Sequence, residues 1–252
     1  MKATIHGDDV QLVHLALEAG DVIQAEPGTM MYMAGGVRMD TQAGGGGGGL
    51  MGGLMSGLKR MVAGESFFIT TYSGPGEVSF AGPFPGKILA LNLADTGEIL
   101  CQRDSFMCGE RGLNISIAFT KRLGAGLFGG EGFILQKLSG QGQVWLHAGG
   151  FIVEKTLAPG EVLRVDTGCL VAMTAGVDYD IQMVRGLKSM VFGGEGLFLT
   201  QLTGPGRVWL QSLPFSRLAD RVMLASRGGQ GESRGIAGVG GGLLGGLISG
   251  DD

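Results

Sequence analysis

Residues 61–80 read MVAGESFFITTYSGPGEVSF, 127–146 read LFGGEGFILQKLSGQGQVWL and 191–210 read VFGGEGLFLTQLTGPGRVWL. The three stretches align without a gap. Glu65, Glu131 and Glu195 share one column, followed by an apolar run, a Gly-x-Gly turn (Gly74–Gly76, Gly140–Gly142, Gly204–Gly206) and a Val-centred strand. Upstream, a weaker echo runs AGDVIQAEPGTMMYM (19–33), TGEILCQRDSFMCG (96–109) and PGEVLRVDTGCLVAM (159–173). Spacings of 66 and then 64 residues are the sign of one supersecondary unit used three times.

Within each unit the apolar runs are short, rich in Val, Ile, Phe and Thr, and punctuated by glycine, which is the pattern of an all-β chain. Glycine inside a strand is costly, so most of the 51 glycines belong in turns and bulges, where positive φ is needed. The expected fold is all-β: three tandem β repeats, about 10–82, 88–148 and 151–212, forming one body of approximate threefold symmetry in a single domain over 1–226. One short C-terminal helix, 213–225, follows the last repeat and closes the body. Ser212 is its expected cap, Pro214 lies in its first turn, and Phe215, Leu218, Ala219, Val222 and Met223 recur at helical spacing. Residues 227–252 form a glycine-rich apolar tail that opens with linker composition.

Composition narrows the function classes. Apolar residues make up 44% of the 252-residue chain, enough for a packed core despite the glycine content. A net charge of −4 argues against affinity built on phosphate neutralisation, so nucleic acid is disfavoured. Cys101, Cys108 and Cys169 match no metal knuckle or redox pair and read as buried thiols of a reducing compartment. With no signal-like N-terminus and no run of about 20 apolar residues, the expected location is cytoplasmic.

The one duplicated element outside the strands is a glycine-leucine segment. GGGLMGGLMSG at 47–57 and GGGLLGGLISG at 240–250 share their order of apolar pairs and Ser. As helices they would place Leu50, Met51, Leu54, Met55 and Leu58 on one face in the loop, and Leu243, Leu244, Leu247 and Ile248 on one face in the tail. Glycine weakens a helix by roughly 0.8–1.0 kcal/mol per residue, so each element needs something to pack on. Three readings stand: connectors folded onto their own chain, docking onto a neighbouring subunit, and membrane contact with Lys59 and Arg60 at the headgroups.

Motifs that carry chemistry are few. Gly124–Gly129 fits G-x-G-x-x-G, but in a chain with one glycine in five such matches arise by chance, and the element expected after it is a strand rather than a helix. His6, His14 and His147 show no ligand spacing, and His147 beside Trp145 reads as a hydrogen-bonded structural histidine. Glu65, Glu131 and Glu195 would gather three carboxylates around a cation if they converged; the plainer reading pairs each with Lys59, Lys121 or Lys188 at a strand start. Trp145 and Trp209, at equivalent positions, read as core, and Met30, Met31, Met33 and Met39 as adaptable packing. No nucleophile, base and orienting partner can be named together, so the chain is expected to be non-enzymatic, without a metal or cofactor.

The Ala63-Gly64-Glu65-Ser66 stretch behind the glycine loop and Leu58-Lys59-Arg60, with the G-G-E-G strands and the G-x-G-x-V-W-L endings, resembles the bacterial branch of the altered-inheritance-of-mitochondria (mitochondrial biogenesis) family. The resemblance runs from residue 1 to about 225 and leaves the tail outside. It implies a fold like the tryptophan RNA-binding attenuation protein, built of β-sandwich units, and a tendency to form symmetric oligomers. It implies no established activity. Mitochondrial relatives are associated with inner-membrane organisation. The expectation is therefore a homo-oligomeric scaffold or interaction module, peripheral at the inner membrane through the Gly/Leu/Met loop. The alternative is a small-ligand or RNA-binding module using clefts between the repeats.

Overall fold

A computed structural model describes residues 1–43, 68–121, 133–183 and 198–232. The chain divides into a β unit, Met1–Pro214, and a second unit that begins at Phe215. In the β unit the first segment supplies β1 (Lys2–His6), β2 (Leu12–Leu17), β3 (Val22–Ala25), β4 (Met30–Met33), β5 (Arg38–Ala43), β6 (Phe68–Ser73) and β7 (Gly76–Ala81). The second supplies β8 (Gly86–Asn92), β9 (Ile99–Gln102), β10 (Phe106–Glu110), β11 (Leu113–Lys121), β12 (Phe133–Gly140) and β13 (Gln143–Gly149). The third supplies β14 (Ile152–Leu157), β15 (Val162–Asp166), β16 (Leu170–Thr174), β17 (Asp178–Met183), β18 (Phe198–Thr203) and β19 (Gly206–Gln211). A single helical turn, α1 (Leu93–Thr96), interrupts the second segment, with Asn92 Oδ1 accepting from the Ala94 N–H as its cap.

These strands pair antiparallel into four sheets, β1-β2-β7-β4, β5-β6-β3-β10-β13-β8, β11-β12-β9-β16-β19-β14 and β15-β18-β17. The order β5-β6-β3 reappears as β11-β12-β9 and β17-β18-β15, and β2-β7-β4 as β8-β13-β10 and β14-β19-β16. Two junctions join the segments edge to edge. At the first, β3 pairs with β10, Ala25 opposite Cys108 and Gln24 opposite Gly109. At the second, β9 pairs with β16, Cys101 opposite Ala172 and Leu100 opposite Met173.

Residue pattern explains which strands end up central. In β2, LVHLAL, the buried residues Val13, Leu15 and Leu17 alternate with half-buried ones, as a strand with one covered face requires. In β13, QVWLHAG, every residue after Gln143 is buried, because both faces are covered. Val144 and Leu146 enter a core with Ile99, Cys101, Leu138 and Phe106. Trp145 enters a different core, with Val13, Leu15, Ile23, Tyr72 and Phe80 of the first segment. Trp209 of β19 likewise joins the core of the second segment. Each indole thus fastens one segment to the one before it, and both expected core tryptophans are buried.

The Gly-x-Gly turns carry the chain from one sheet to another, β6 to β7, β12 to β13 and β18 to β19, and two of their glycines tolerate nothing larger. A Cβ on Gly74 would come within 2.7 Å of the Leu17 Cβ, and one on Gly204 within 2.7 Å of the Leu157 Cβ. In the second unit, α2 (Phe215–Glu232) runs seven residues beyond the expected end at 225, through Gly228, Gly229 and Gly231, with no proline after Ser226 to stop it. Ser212 is not its cap: its hydroxyl accepts from the Phe151 N–H at 2.8 Å. No helix among the described residues is long and apolar enough to cross a membrane.

Candidate functional site: two unmatched sheet edges

Among the described residues four sheets have eight edges: β1, which flanks β2, five that recur in kind from segment to segment, and two more. The strands β5, β11 and β17 are edges throughout, and β8 and β14 are edges where β1 covers β2. The other two have no such precedent. Strand β4 is an edge although its counterparts β10 and β16 are paired to the preceding segment, and β15 is an edge although β3 and β9 are paired to the following one. The described β unit therefore presents two half-junctions, each offering the side that the other lacks.

Their geometry is specified residue by residue. All three strands of the β4 type carry a register shift at one place: Met30/Tyr32 against β7, Phe106/Cys108 against β13 and Leu170/Ala172 against β19. Tyr32, Cys108 and Ala172 are therefore equivalent. Ala25, Cys101 and Val165 are equivalent through their partners Thr70, Gln136 and Thr200. The Ala34 N–H points inward to the Glu77 carbonyl at 2.8 Å, so alternation turns the Met33 N–H outward. On the other edge, the Glu26 N–H donates across the first junction to the Met107 carbonyl and the Val22 carbonyl accepts from Arg111, which assigns the outward positions of β15 to Val162, Arg164 and Asp166.

The exposed edge is apolar. Met31 is 58% exposed, Tyr32 44% and Met33 40%, and Val162 on the opposite edge is 50% exposed. Of the methionines expected as adaptable packing, Met30 packs against the first core, while Met31 and Met33 on this edge and Met39 on β5 are exposed. Unprotected hydrophobic edges are pairing sites by default, and β4 carries no charge or proline to blunt it.

A polar cluster adjoins this edge. His14 Nδ1 lies 3.1 Å from the Tyr32 hydroxyl and 3.1 Å from Ser79 Oγ, while Nε2 is 3.9 Å from Glu77 Oε1. The His6 ring meets His14 edge-on. Ser79 occupies the position of Trp145 and Trp209: it lies opposite Tyr32 on β7 as they lie opposite Cys108 and Ala172. Among the described residues no β segment precedes the first, so there is no earlier core there for an indole to enter.

The other expected residues sort as follows. Leu50, Met51, Leu54, Met55, Leu58, Lys59 and Arg60 of the loop, Leu243, Leu244, Leu247 and Ile248 of the tail, Gly124–Gly129, and Glu65, Glu131 and Glu195 all lie outside the described residues. Among the described residues no group of three His, Cys, Asp or Glu side chains is placed to hold a metal ion. Cys101 and Cys108 are buried thiols and Cys169 is half-buried. His147 is buried, its ring edge-on to Phe84 at 4.5 Å between centroids and its Nδ1 without a partner. Burial pushes its pKa down, partly opposed by a hydrogen bond to the Phe84 backbone. Glu26 was not singled out by the sequence. Burial at the first junction raises its carboxyl to about 7, with Arg103 opposing the shift and Asp104 adding to it.

Fold and edges together define an all-β protein of antiparallel sheets in which, among the described residues, the edge strands β4 and β15 are left without the partners their counterparts have. The chain belongs to the mitochondrial biogenesis AIM24 family, whose profile matches residues 3–213. An uncharacterized protein of Streptococcus pyogenes serotype M6 is 31% identical over 212 residues, which is 82% of this chain and 84% of that protein. A Streptococcus pyogenes protein of known crystal structure is similar with a TM-score of 0.71 at 26% identity, over 89% of this chain and 99% of that one.

Proposed function

We propose that the three segments are repeats of one β unit and that the protein is a non-enzymatic scaffold, self-associating head to tail through β15 of one copy and β4 of the next. The observation that carries this reading is the pair of half-junctions. The register follows from the two internal junctions: Val165 opposite Tyr32, and Arg164 opposite Met33. Such a contact is heterologous, so repetition gives a ring if the rotation closes and a filament if it does not. A membrane-peripheral role through the glycine-leucine loop and tail is compatible with it, since repetition would multiply a weak lipid contact.

Proline provides the test, because it removes an outward N–H without touching the inward ladder. Met33→Pro leaves the β15 edge intact and Arg164→Pro leaves the β4 edge intact. Each variant alone is expected to be monomeric by light scattering, whereas an equimolar mixture forms a heterodimer and nothing larger. Wild-type-sized assemblies from either variant alone would refute the proposal.

A further inference from the structure

We propose that the His14–Tyr32–Ser79 cluster is an acid-sensitive latch on this head-to-tail contact; the inference rests on the self-association reading and adds its regulation. Three observations lead there. First, the cluster is built into the edge itself: Tyr32, the residue placed opposite Val165, is tied by its hydroxyl to His14 on β2. Second, the outward face on which it sits is the face that Trp145 and Trp209 use to enter a preceding core. In a head-to-tail assembly it meets the third segment of the neighbouring copy. Third, a fully buried Ser79 with His14 and Tyr32 stands where the other two segments carry an indole, so this contact alone among the three contains an ionisable ring.

The chemistry follows from the hydrogen-bond inventory. Placing the neutral ring's proton on Nε2, toward the Glu77 carboxylate 3.9 Å away, leaves Nδ1 as the acceptor that the Tyr32 and Ser79 hydroxyls share. Imidazoles change charge between about pH 5 and 8. The imidazolium has no acceptor left. Both hydroxyls lose the group they donate to, the new Nδ1–H competes for one of them, and the anchor on Tyr32 is rearranged. A positive charge is also placed against a neighbouring copy. The charged and titratable groups around it are Lys2 and His6 on β1, Glu77 on β7 and Tyr32 on β4, with Arg164 and Asp166 flanking Val165 on the incoming strand. In the assembly the ring meets the face of β15 from which Val165 enters the apolar third core, while Arg164 and Asp166 alternate to the other face, so a charge on the ring opposes association.

The experiment measures the self-association constant of the full chain by sedimentation at about pH 8 and about pH 5.5, with circular dichroism confirming the fold at both. Wild type is expected to associate about tenfold or more weakly at the lower pH. His14→Gln keeps an acceptor for Tyr32 without a titrating group and is expected to associate alike at both. His6→Gln keeps the wild-type response. Tyr32→Phe retains the ring and lowers the response, which serves if His14→Gln does not fold. Equal association of wild type at both pH values, or an undiminished response in His14→Gln, overturns the latch while leaving self-association standing. Monomers at both pH values overturn self-association, and the latch with it.

Discussion

Two ionisable side chains, buried His147 on β13 and half-buried Glu26 at the first junction, bend stability in opposite directions. The buried His147 has a pKa below its ordinary 6.5, so the unfolded chain binds the extra proton first, and stability is lost as pH falls through that value. Its counterpart on β19 is Gln211, which accepts from the Gly149 N–H and donates to the Gly168 carbonyl, both at 2.8 Å. His147→Gln is therefore expected to flatten the acid limb of a plot of urea midpoint against pH. Glu26 works the other way. Its carboxyl is raised from 4.5 to about 7, so the native state keeps a proton that the unfolded chain sheds, and stability falls as pH rises across that interval. The matching residue at the second junction is Gln102, donating to the Thr167 carbonyl at 2.8 Å. Glu26→Gln should stabilise the protein at about pH 8 by about 2–3 kcal/mol and do little near pH 4. An unchanged midpoint at the higher pH would show that the carboxyl is solvated after all.

At the scale of elements, the turns between sheets rather than the strands set the close tolerances. The Leu17–Gly74 and Leu157–Gly204 approaches are the same length, so Gly74→Ala and Gly204→Ala should each cost about 1–3 kcal/mol of overpacking. Gly20→Ala, where nothing lies within 4 Å of the new methyl, separates that effect from the strain of its positive φ. Chemical denaturation of the three variants decides it: equal losses would deny the steric account. Legibility in sequence also divides by element. Short apolar runs ended by Gly-x-Gly pointed to the all-β class and to the turn positions, since those signals are local, but not to the passage from one sheet to another that each of these turns makes. The Trp/Trp/Ser column at 145, 209 and 79 was visible in the alignment, yet its meaning was not. It depends on which face of which sheet the residue occupies, and that follows from pairing between β3 and β10 and between β9 and β16. The edge pairings join residues about 80 positions apart, such as Ala25 and Cys108, with no turn between them to announce the register. The sequence drew attention instead to the glycine-leucine segments, whose composition is unusual, and away from Met31, Tyr32 and Met33, whose composition is ordinary for a strand.

For the molecule as a whole, Trp145 and Trp209 make the three cores interdependent. Met1–Pro214 is one compact unit, and each indole takes its packing from a segment other than its own. Trp145→Ala and Trp209→Ala should each cost about 3–5 kcal/mol and shift one shared thermal transition rather than split it. Two resolved transitions in either variant would mean that the segments melt independently.

The burial of two of the three thiols has a practical corollary. Cys108 belongs to the core that Trp145 enters and Cys101 to the core that Trp209 enters, and burial raises both pKa values, so neither is nucleophilic while its core is shut. Alkylation of each sulfur, followed by mass spectrometry, clocks the opening of its own layer without an introduced label. Matching rates at Cys101 and Cys108 would time a concerted breathing of the stack, and diverging rates would reveal which end frays first.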